Sequence, residues 1–414
     1  MGPIIIFDKS ALQCLSIDES VWLDNYFLTN ITPLFYVETL ADLSLKNPSR
    51  PPEKIISELA IKTPRALPNI HHLRLVLGNL LGQPVEVEHG RPIVDRGVTK
   101  KSPDGKIGIH ISETTEEEAL SRWHKGEYQE IERMFATRWR QTLDIMNFDS
   151  AIGIVKNILP AGIKLSTLED IKIFVDNFVQ SSIRERLILS FDLLGIPDRE
   201  RPAIVSRWES LNMPLFDEFA SYAMYVLKID LFFYIAALKS FISKERPSNK
   251  VDLAYLYYLP FCHVFVSGDN LHARTAPLFI RENQTFITAR DFKAGLTAIN
   301  KYFTKYSEQI AEIGVMKFAA YPPVEIDTSI HKLWDKHCPS WRKSAENCKP
   351  EKSIVLKPDS LLLKHLNELE EKSIEVDSRI LENMDEADHL IVKHMVPVQK
   401  GRWRILPKGI EDKE

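Results

Sequence analysis

Two stretches of this 414-residue chain alternate short apolar strands with helices, and a long helical stretch separates them. The first stretch contains the β-branched run Pro3–Phe7 and a predicted second strand at Ile31–Val37. The second begins near Ser248 and contains predicted strands at Cys262–Ser267 and Thr285–Thr288. Continuous apolar strands that alternate with helices indicate a parallel sheet covered by helices on both faces. The pattern therefore predicts an α/β architecture whose sheet is assembled from both stretches.

Helical periodicity predicts most of the remaining elements. Helices are predicted at Asp18–Thr29, Glu38–Leu45, Glu53–Ile61, His71–Leu81, Glu116–Asn147, Leu168–Val179, Ser182–Leu194, Arg199–Leu211, Phe216–Ser243, Val251–Leu259, Leu271–Phe279 and Asp291–Tyr306. Two further short strands are predicted at Val85–Val87 and Ile107–Ile111. Arg91–Lys106 is polar and basic, which is typical of an exposed loop or hairpin.

The length of the chain predicts more than one packed unit, because single cores stop growing at about 250 to 300 residues. We expect a discontinuous α/β core formed by 1–47 and 248–315. A mainly helical inserted domain is predicted at 48–247, with a basic loop near 91–106, and a mixed C-terminal extension at 316–414.

Composition restricts the classes of partner. The chain has 53 basic and 57 acidic residues, and a net charge of -4 excludes binding to a polyanion through overall charge. Four scattered cysteines without a signal-peptide pattern predict reduced thiols and a cytoplasmic location. The most apolar segment, Leu215–Ile242, is broken by charged residues, so its charge-free runs are shorter than the ~20 residues of a membrane span. We therefore predict a soluble protein in which this segment is a buried helix.

Four acidic residues lie close to the predicted strands of the two stretches: Asp8, Glu38, Asp252 and Asp269. In a doubly wound parallel sheet the carboxyl ends of the strands lie along one edge, where ligands bind. Two carboxylates ~6 Å apart at an effective dielectric constant of ~20 repel each other by roughly 3 kcal/mol, so such a group requires protons or a cation. Oxygen ligands supplemented by water suit Mg²⁺ or Mn²⁺. The placement therefore predicts a metal site at which a metal-bound water hydrolyses phosphodiester bonds.

Three segments carry a family resemblance: IIIFDKSALQCLS, ITPLFYVETLADL and VDLAYLYYLPFCHVFVSGDNLH. Together they resemble the core of PIN-like nucleases, whose acidic residues follow the order Asp, Glu, Asp, Asp. The resemblance covers about 3–46 and 248–295 and implies a three-layer fold with a central parallel sheet. It also implies that Asp8, Glu38, Asp252 and Asp269 are the metal-binding and catalytic residues. This chain departs from the family because the long insertion separates the second acidic residue from the third.

Several of these acidic residues also have a purely structural interpretation. An acidic residue just after a strand is a common helix N-cap, which could describe Asp8 or Asp252. Asp42 lies four residues after Glu38 and hence on the same helix face, as a further metal ligand or as a surface residue.

Four residues beside the predicted metal ligands are candidates for contact with substrate: Lys9, Ser10, Ser267 and Asn270. Lys9 could contact the scissile phosphate. Ser10 matches the small hydroxyl residue that commonly follows the first acidic residue in PIN-like nucleases. Ser267 and Asn270 could donate hydrogen bonds to a ligand or simply satisfy the loop backbone.

A second basic region accompanies the basic loop. The predicted long helix carries Arg122, Trp123, His124, Lys125, Arg133, Arg138, Trp139 and Arg140, although acidic residues share it. Arginines and tryptophans together can bind phosphates and stack on unpaired bases, but a solvated helix face has the same composition.

We predict an Mg²⁺- or Mn²⁺-dependent endonuclease, with RNA favoured over DNA because the resemblance implies it. A structure-specific DNA nuclease, a non-catalytic PIN-like scaffold and control by a protein regulator stay open.

Overall fold

The computed structural model describes residues 2–45, 50–64, 67–93, 97–101, 107–111, 114–347, 374–375 and 397–408. Parts of the predicted basic loop and much of the predicted C-terminal extension therefore lie outside the described residues.

The strands are β1 Ile4–Phe7, β2 Leu28–Ile31, β3 Leu67–Pro68, β4 Gly97–Lys101, β5 Ile107–Ile111, β6 Val264–Ser267, β7 Thr285–Thr288, β8 Ile374–Glu375, β9 Gln399–Lys400 and β10 Trp403–Arg404. The α-helices are α1 Lys9–Cys14, α2 Ile17–Tyr26, α3 Pro33–Ala41, α4 Pro52–Lys62, α5 His72–Leu80, α6 Thr115–His124, α7 Glu130–Ile145, α8 Asp149–Ile158, α9 Leu168–Val179, α10 Arg184–Leu193, α11 Arg201–Ser210, α12 Phe216–Phe219, α13 Ser221–Leu238, α14 Ser248–Ala254, α15 Asn270–Thr275, α16 Ala289–Phe303, α17 Ser307–Ile313, α18 Val315–Phe318, α19 Ser329–His337 and α20 Trp341–Asn347. Short 3₁₀ helices occur at Asp42–Ser44, Tyr255–Phe261, Ala276–Leu278 and Thr304–Tyr306.

The central sheet has the strand order β3-β2-β1-β6-β7, and every neighbouring pair is parallel. The chain adds strands in one direction from β1 to β3 and then returns to pair β6 with the other side of β1. This reversal places a topological switch point between β1 and β6, where open α/β sheets form a ligand crevice at the carboxyl ends of their strands. The α/β class predicted from the sequence is confirmed.

The two faces of the sheet pack into different cores, because successive strand residues point to opposite faces. Ile6 and Phe265 belong to a core formed mainly by the helices between α5 and α14. Ile5, Phe7 and Val266 belong to a core formed by α2, α16, α19 and the C-terminal hairpin. The helical insertion therefore covers one face of the sheet directly.

Helix α13, Ser221–Leu238, forms the centre of the first core, and most of its side chains are buried. It is the one described helix that is long and apolar enough to cross a membrane, a test that the core helix of a soluble protein also passes. The prediction that the apolar segment forms a buried helix is confirmed.

Several sequence-based element assignments are wrong. The second strand ends at Ile31, and Thr32 caps a helix that begins at Pro33, a residue whose fixed φ suits the first helical position. Val85–Val87 is not a strand. The predicted helix Glu116–Asn147 is two helices, which separate at Gly126, where φ is +76°.

The helix that precedes β6 is also shorter than predicted. Helix α14 begins at Ser248 and ends at Ala254, so Asp252 lies inside it rather than at its start. The chain continues as a 3₁₀ helix to Phe261, where Pro260 cannot donate a helical hydrogen bond. Asp252 is therefore held by regular helical backbone next to the sheet edge.

The hairpin β9–β10 packs against the start of the chain. The Trp403 indole is 1% exposed and lies 5.1 Å from the Trp22 ring, centroid to centroid. Both indole N–H groups donate to Asn300 Oδ1, at 2.8 Å from Trp403 and 2.9 Å from Trp22. Part of the predicted C-terminal extension therefore completes the second core.

Candidate functional site

Asp8 lies at the carboxyl end of β1, beside the switch point, and its side chain is held by several hydrogen bonds. It is the N-cap of α1, and its Oδ1 accepts from the Ala11 N–H at 2.8 Å and the Ser10 hydroxyl at 2.7 Å. Its Oδ2 accepts from the Ser267 hydroxyl at 2.5 Å. Asp8 is 5% exposed, so these contacts replace most of the water that an exposed carboxylate would bind. The N-cap interpretation is confirmed for this residue, which also lies at the carboxyl edge of the sheet.

His272 lies behind Asp8 and connects it to the helix that carries Asp252. The imidazole is 1% exposed. Its Nε2 lies 2.6 Å from the backbone carbonyl oxygen of Asp252. Its Nδ1 lies 2.7 Å from Ser267 Oγ and 3.4 Å from Asp8 Oδ2. A backbone carbonyl can only accept, so Nε2 donates and carries a proton.

The hydrogen-bond inventory of Ser267 then fixes the second ring proton. Its hydroxyl has one proton to donate and two lone pairs to accept with. It donates to Asp8 Oδ2 and accepts from the Asp269 backbone N–H at 2.9 Å. The remaining contact, with His272 Nδ1, is satisfied when that nitrogen also donates. The network is therefore complete when His272 is a cation and Asp8 an anion.

The pKa directions agree with this arrangement. Burial alone raises the pKa of Asp8, but the hydrogen bond and charge of His272, with the Ser267 and Ser10 hydroxyls, outweigh it and lower the pKa overall. Burial alone lowers the pKa of His272, and the hydrogen bond and charge of Asp8 more than reverse this. The geometry and the pKa directions thus describe Asp8 and His272 as a buried ion pair.

Glu38 lies in the second turn of α3, not directly after a strand as predicted. Its carboxylate accepts a hydrogen bond from the Tyr255 hydroxyl. Burial raises the pKa of Glu38, and this effect exceeds the opposing contributions of Tyr255 and Lys9. The negative charge of Asp8 raises the pKa further. Glu38 therefore lies within electrostatic reach of Asp8.

Asp252 has the most perturbed carboxyl group of the four. Its pKa is raised to about 7, first by burial and then by the charges of Asp269, Glu38 and Asp8, while His272 opposes the shift. Carboxylates raise one another's pKa in this way when they share a site. The fold therefore brings the four predicted acidic residues into one electrostatically coupled cluster, which we call the acidic cluster.

Asp269 follows β6 and caps α15. Its Oδ1 accepts from the Leu271 N–H at 2.5 Å. Its backbone N–H donates to Ser267, so the residue is fixed by the same hydroxyl that holds Asp8. The carboxyl ends of β1 and β6 are thereby joined through Ser267.

The predicted accessory residues have different surroundings. Lys9 Nζ lies 2.8 Å from Asp42 Oδ1 and donates to the Glu38 backbone carbonyl at 3.1 Å. Asp42 is buried and also lies 3.7 Å from Arg140 Nη2, so two cations already balance its charge and we leave it out of the proposed ligand set. Ser10 and Ser267 hold Asp8 directly. Asn270 is exposed at the start of α15.

The donor chemistry of the acidic cluster suits Mg²⁺ or Mn²⁺, because every candidate ligand is a carboxylate oxygen. Within the part of the chain that the structure describes, no three His, Cys, Asp or Glu side chains are close enough together to form a ready-made metal site. Magnesium sites commonly use one or two carboxylates and complete the shell with water and substrate phosphate. A site of that open kind fits Asp252, Asp269 and Glu38, whose charges repel one another.

Two residues of the site were not among the predicted set. Tyr255 lies three residues after Asp252, and His272 lies three residues after Asp269. Each follows an acidic residue at a helical spacing, which is a detectable but unspecific signal. Tyr255 acts through its contact with Glu38, and His272 acts through Ser267, which contacts Asp8. The residues of the pairs Tyr255–Glu38 and Ser267–Asp8 are more than two hundred positions apart, so local sequence does not encode these contacts.

Comparisons with protein-family models, with curated proteins and with solved structures give no match for this chain.

Proposed function

We propose that the protein is a metal-dependent nuclease that hydrolyses phosphodiester bonds at the acidic cluster. The observation that carries the proposal is the mutual repulsion of Asp252, Glu38 and Asp269 at the switch point of a parallel sheet. None of the three forms an ion pair among the described residues, and the charges of His272 and Lys9 only partly oppose the rise in the pKa values of Asp252 and Glu38. A divalent cation would supply the missing charge, lower the pKa of a coordinated water and neutralise a phosphoryl group.

The residues of the chain have separate parts in this proposal. One or two of the carboxylates of Asp252, Asp269 and Glu38 would hold the cation directly and the others through water, and Asp252 would give up its proton when the cation binds. Asp8, fixed in one orientation by Ser10, Ser267 and Ala11, would supply a further carboxylate oxygen. The Tyr255 hydroxyl would keep Glu38 in place. The convergence of the four acidic residues at one edge of the sheet supports the metal site, and RNA as substrate rests on the PIN-like resemblance alone.

The test is cleavage of a labelled single-stranded RNA and of the matching DNA, with Mg²⁺, Mn²⁺ or a chelator. We expect cleavage only with a divalent cation. Asp252→Asn should reduce the rate by about 100-fold or more, since losing a ligand should exceed the 10- to 100-fold typical of a supporting partner. The matched control is Glu308→Gln, an exposed carboxylate on α17. Cleavage by Asp252→Asn at the wild-type rate would assign the activity elsewhere.

A non-catalytic scaffold is the second candidate, and the lack of a ready-made metal site among the described residues favours it. Absence of cleavage with every substrate and metal, together with absence of metal binding by calorimetry, would support the scaffold.

A further inference from the structure

Helix α7 lies against the helix that carries Glu38. The Ser44 hydroxyl donates to the Ala136 backbone carbonyl at 2.9 Å. The Arg140 Nε donates to the Ala41 carbonyl at 3.0 Å. Because Ala41 ends α3, these contacts fix the middle and the second half of α7 along the edge of the candidate site.

A chain of contacts connects α7 to the acidic cluster. Arg140 lies beside Asp42, Asp42 pairs with Lys9, and Lys9 donates to the Glu38 carbonyl. Lys9 also follows Asp8 directly in sequence. Two cations, Arg140 and Lys9, therefore flank the single anion Asp42 between α7 and the carboxylates, which leaves a net positive charge along this route.

Two aromatic rings are stacked on the surface of this helix. Phe135 and Trp139 are one helical turn apart, with ring centroids 6.4 Å apart and ring planes 17° apart. Phe135 is 40% exposed, whereas Trp139 is half-buried against the first core. Arg138 is exposed on the same helix face, at the i+3 position from Phe135.

The charge along this part of α7 has one sign. Residues 133–143 include three arginines and no acidic residue. Glu132 is turned inward, where it accepts from Arg122 at 2.6 Å and from the Trp123 indole at 3.1 Å. Arg133 is paired with Glu53. Among the described residues Arg138 has no acidic partner, so its guanidinium is available to an anion.

We propose that Phe135, Arg138, Trp139 and Arg140 form a surface, the α7 platform, that binds a single-stranded nucleic acid and leads it to the acidic cluster. Unpaired bases stack on exposed aromatic rings without regard to sequence, and arginines follow the phosphates. A duplex keeps its bases stacked internally, so it offers these rings less. The proposal deepens the proposed function by naming the substrate class, and it can be tested without cleavage.

The experiment measures binding of the full chain to a labelled single-stranded oligonucleotide, as RNA and as DNA, by fluorescence anisotropy in a chelator. Phe135→Leu keeps an apolar side chain and removes the aromatic face, so we expect a loss of affinity of about 5- to 150-fold, the range for one stacked base. Phe135→Tyr keeps the face and should bind as wild type. Arg138→Gln should weaken binding and reduce the slope of log affinity against log salt by about 0.7.

The matched control is Ile131→Ala, which removes an exposed apolar side chain one turn earlier on the same helix. It should bind the oligonucleotide as wild type. Equal affinity of Phe135→Leu and wild type, or tighter binding of a duplex than of its single strands, would overturn the proposal. Self-association of the chain that Phe135→Leu and Ile131→Ala both abolish, with oligonucleotide binding unchanged, would overturn it in favour of a protein contact.

The two proposals fail separately. Asp252→Asn should bind the oligonucleotide in chelator at least as tightly as wild type, because it leaves the platform intact and removes a negative charge that repels phosphates. Binding without cleavage under any metal condition would retain the α7 platform and refute the nuclease. Cleavage that is unaffected by Phe135→Leu and Arg138→Gln, at subsaturating substrate, would retain the nuclease and refute the platform.

Discussion

Helix α14 separates the buried carboxylate of Asp230 from the buried and partly buried carboxylates of the acidic cluster, and the charges on the two sides are balanced to different degrees. On one side, Lys250 forms an ion pair with Asp230, and the Tyr257 hydroxyl donates to the same carboxylate. Lys250 Nζ also lies 5.2 to 5.5 Å from the ring centroids of Phe233, Tyr234 and Tyr257. Two residues further on, Asp252 faces other acidic residues instead.

The difference teaches how to separate a structural carboxylate from a candidate ligand. Asp230 has a cation and a hydroxyl donor within the fold, so its charge is balanced without help from solution. Asp252 is opposed by His272, but that imidazolium is already engaged with Asp8. Burial alone therefore does not identify a site, whereas burial without sufficient internal compensation does.

The largest expected effect is on the compensated side. Lys250→Met leaves Asp230 buried without its cation, and breaking a buried ion pair in this way costs about 3 to 5 kcal/mol. Urea denaturation at pH 7 should show this loss of unfolding free energy, and Mn²⁺ should not restore it. The double variant Lys250→Met with Asp230→Leu should recover part of the loss. A loss of unfolding free energy below about 1 kcal/mol in Lys250→Met would show that Asp230 does not depend on Lys250 for its charge balance.

The opposite sign is expected at Asp252. Its folded pKa of about 7 lies above its ordinary value of 3.8, so the folded protein loses stability as pH rises through this window. Asp252→Asn should therefore stabilise the chain at pH 8 in chelator, by about 2 to 4 kcal/mol, since each pKa unit corresponds to about 1.4 kcal/mol. The gain should vanish near pH 4. A variant that is destabilised at pH 8 would contradict this.

A bound divalent cation should balance the charge of the acidic cluster, as Lys250 balances the charge of Asp230. Mn²⁺ at about 100 times its dissociation constant should stabilise the wild type by about 2.7 kcal/mol through binding to the folded state alone. Asp252→Asn should gain much less, and Asp230→Asn should show the wild-type increment in spite of its lower stability. Thermal unfolding with and without the metal measures these increments. Equal increments in wild type and Asp252→Asn would place the metal elsewhere.

A smaller effect is expected from His272, which contacts both the Asp8 carboxylate and the Asp252 backbone carbonyl. His272→Gln can still donate to the Asp252 carbonyl but cannot pair with Asp8, so we expect a loss of about 1 to 3 kcal/mol. The pKa of His272 is raised by folding, so its contribution is complete below its ordinary pKa of 6.5 and declines as pH rises through the folded pKa. The stability difference between wild type and variant should narrow from pH 6 to pH 10. A difference that does not depend on pH would refute the ion pair.

The sequence predicted β1 and β6 and their ends well, because buried parallel strands are continuous apolar runs. Asp8 and Asp269 follow directly from those runs. Glu38 was assigned to the end of a strand, because ITPLFYV is as apolar as a strand, and Pro33 instead begins a helix there. Local pattern cannot distinguish a short buried strand from a buried helix. The cluster still forms, since a helix that starts at the carboxyl end of β2 lies along the same sheet edge.

The compensation of charge was not predictable in the same way. Lys250 and Asp252 are two residues apart and equally polar in sequence, yet one neutralises Asp230 and the other increases the negative charge of the acidic cluster. The packing of α13 against α14 decides which carboxylate forms an ion pair, so the outcome depends on contacts between distant residues.

The indole of Trp403 and the carboxamide of Asn300 have a consequence for biosynthesis. The second core contains residues from the first thirty positions of the chain, and residues near position 400 pack against them. Until the ribosome has added the C-terminal hairpin, Trp22 lacks its contact with Trp403, although Phe303 and Tyr26 already pack on it. The second core is therefore complete only after residues 399–404 have been synthesised.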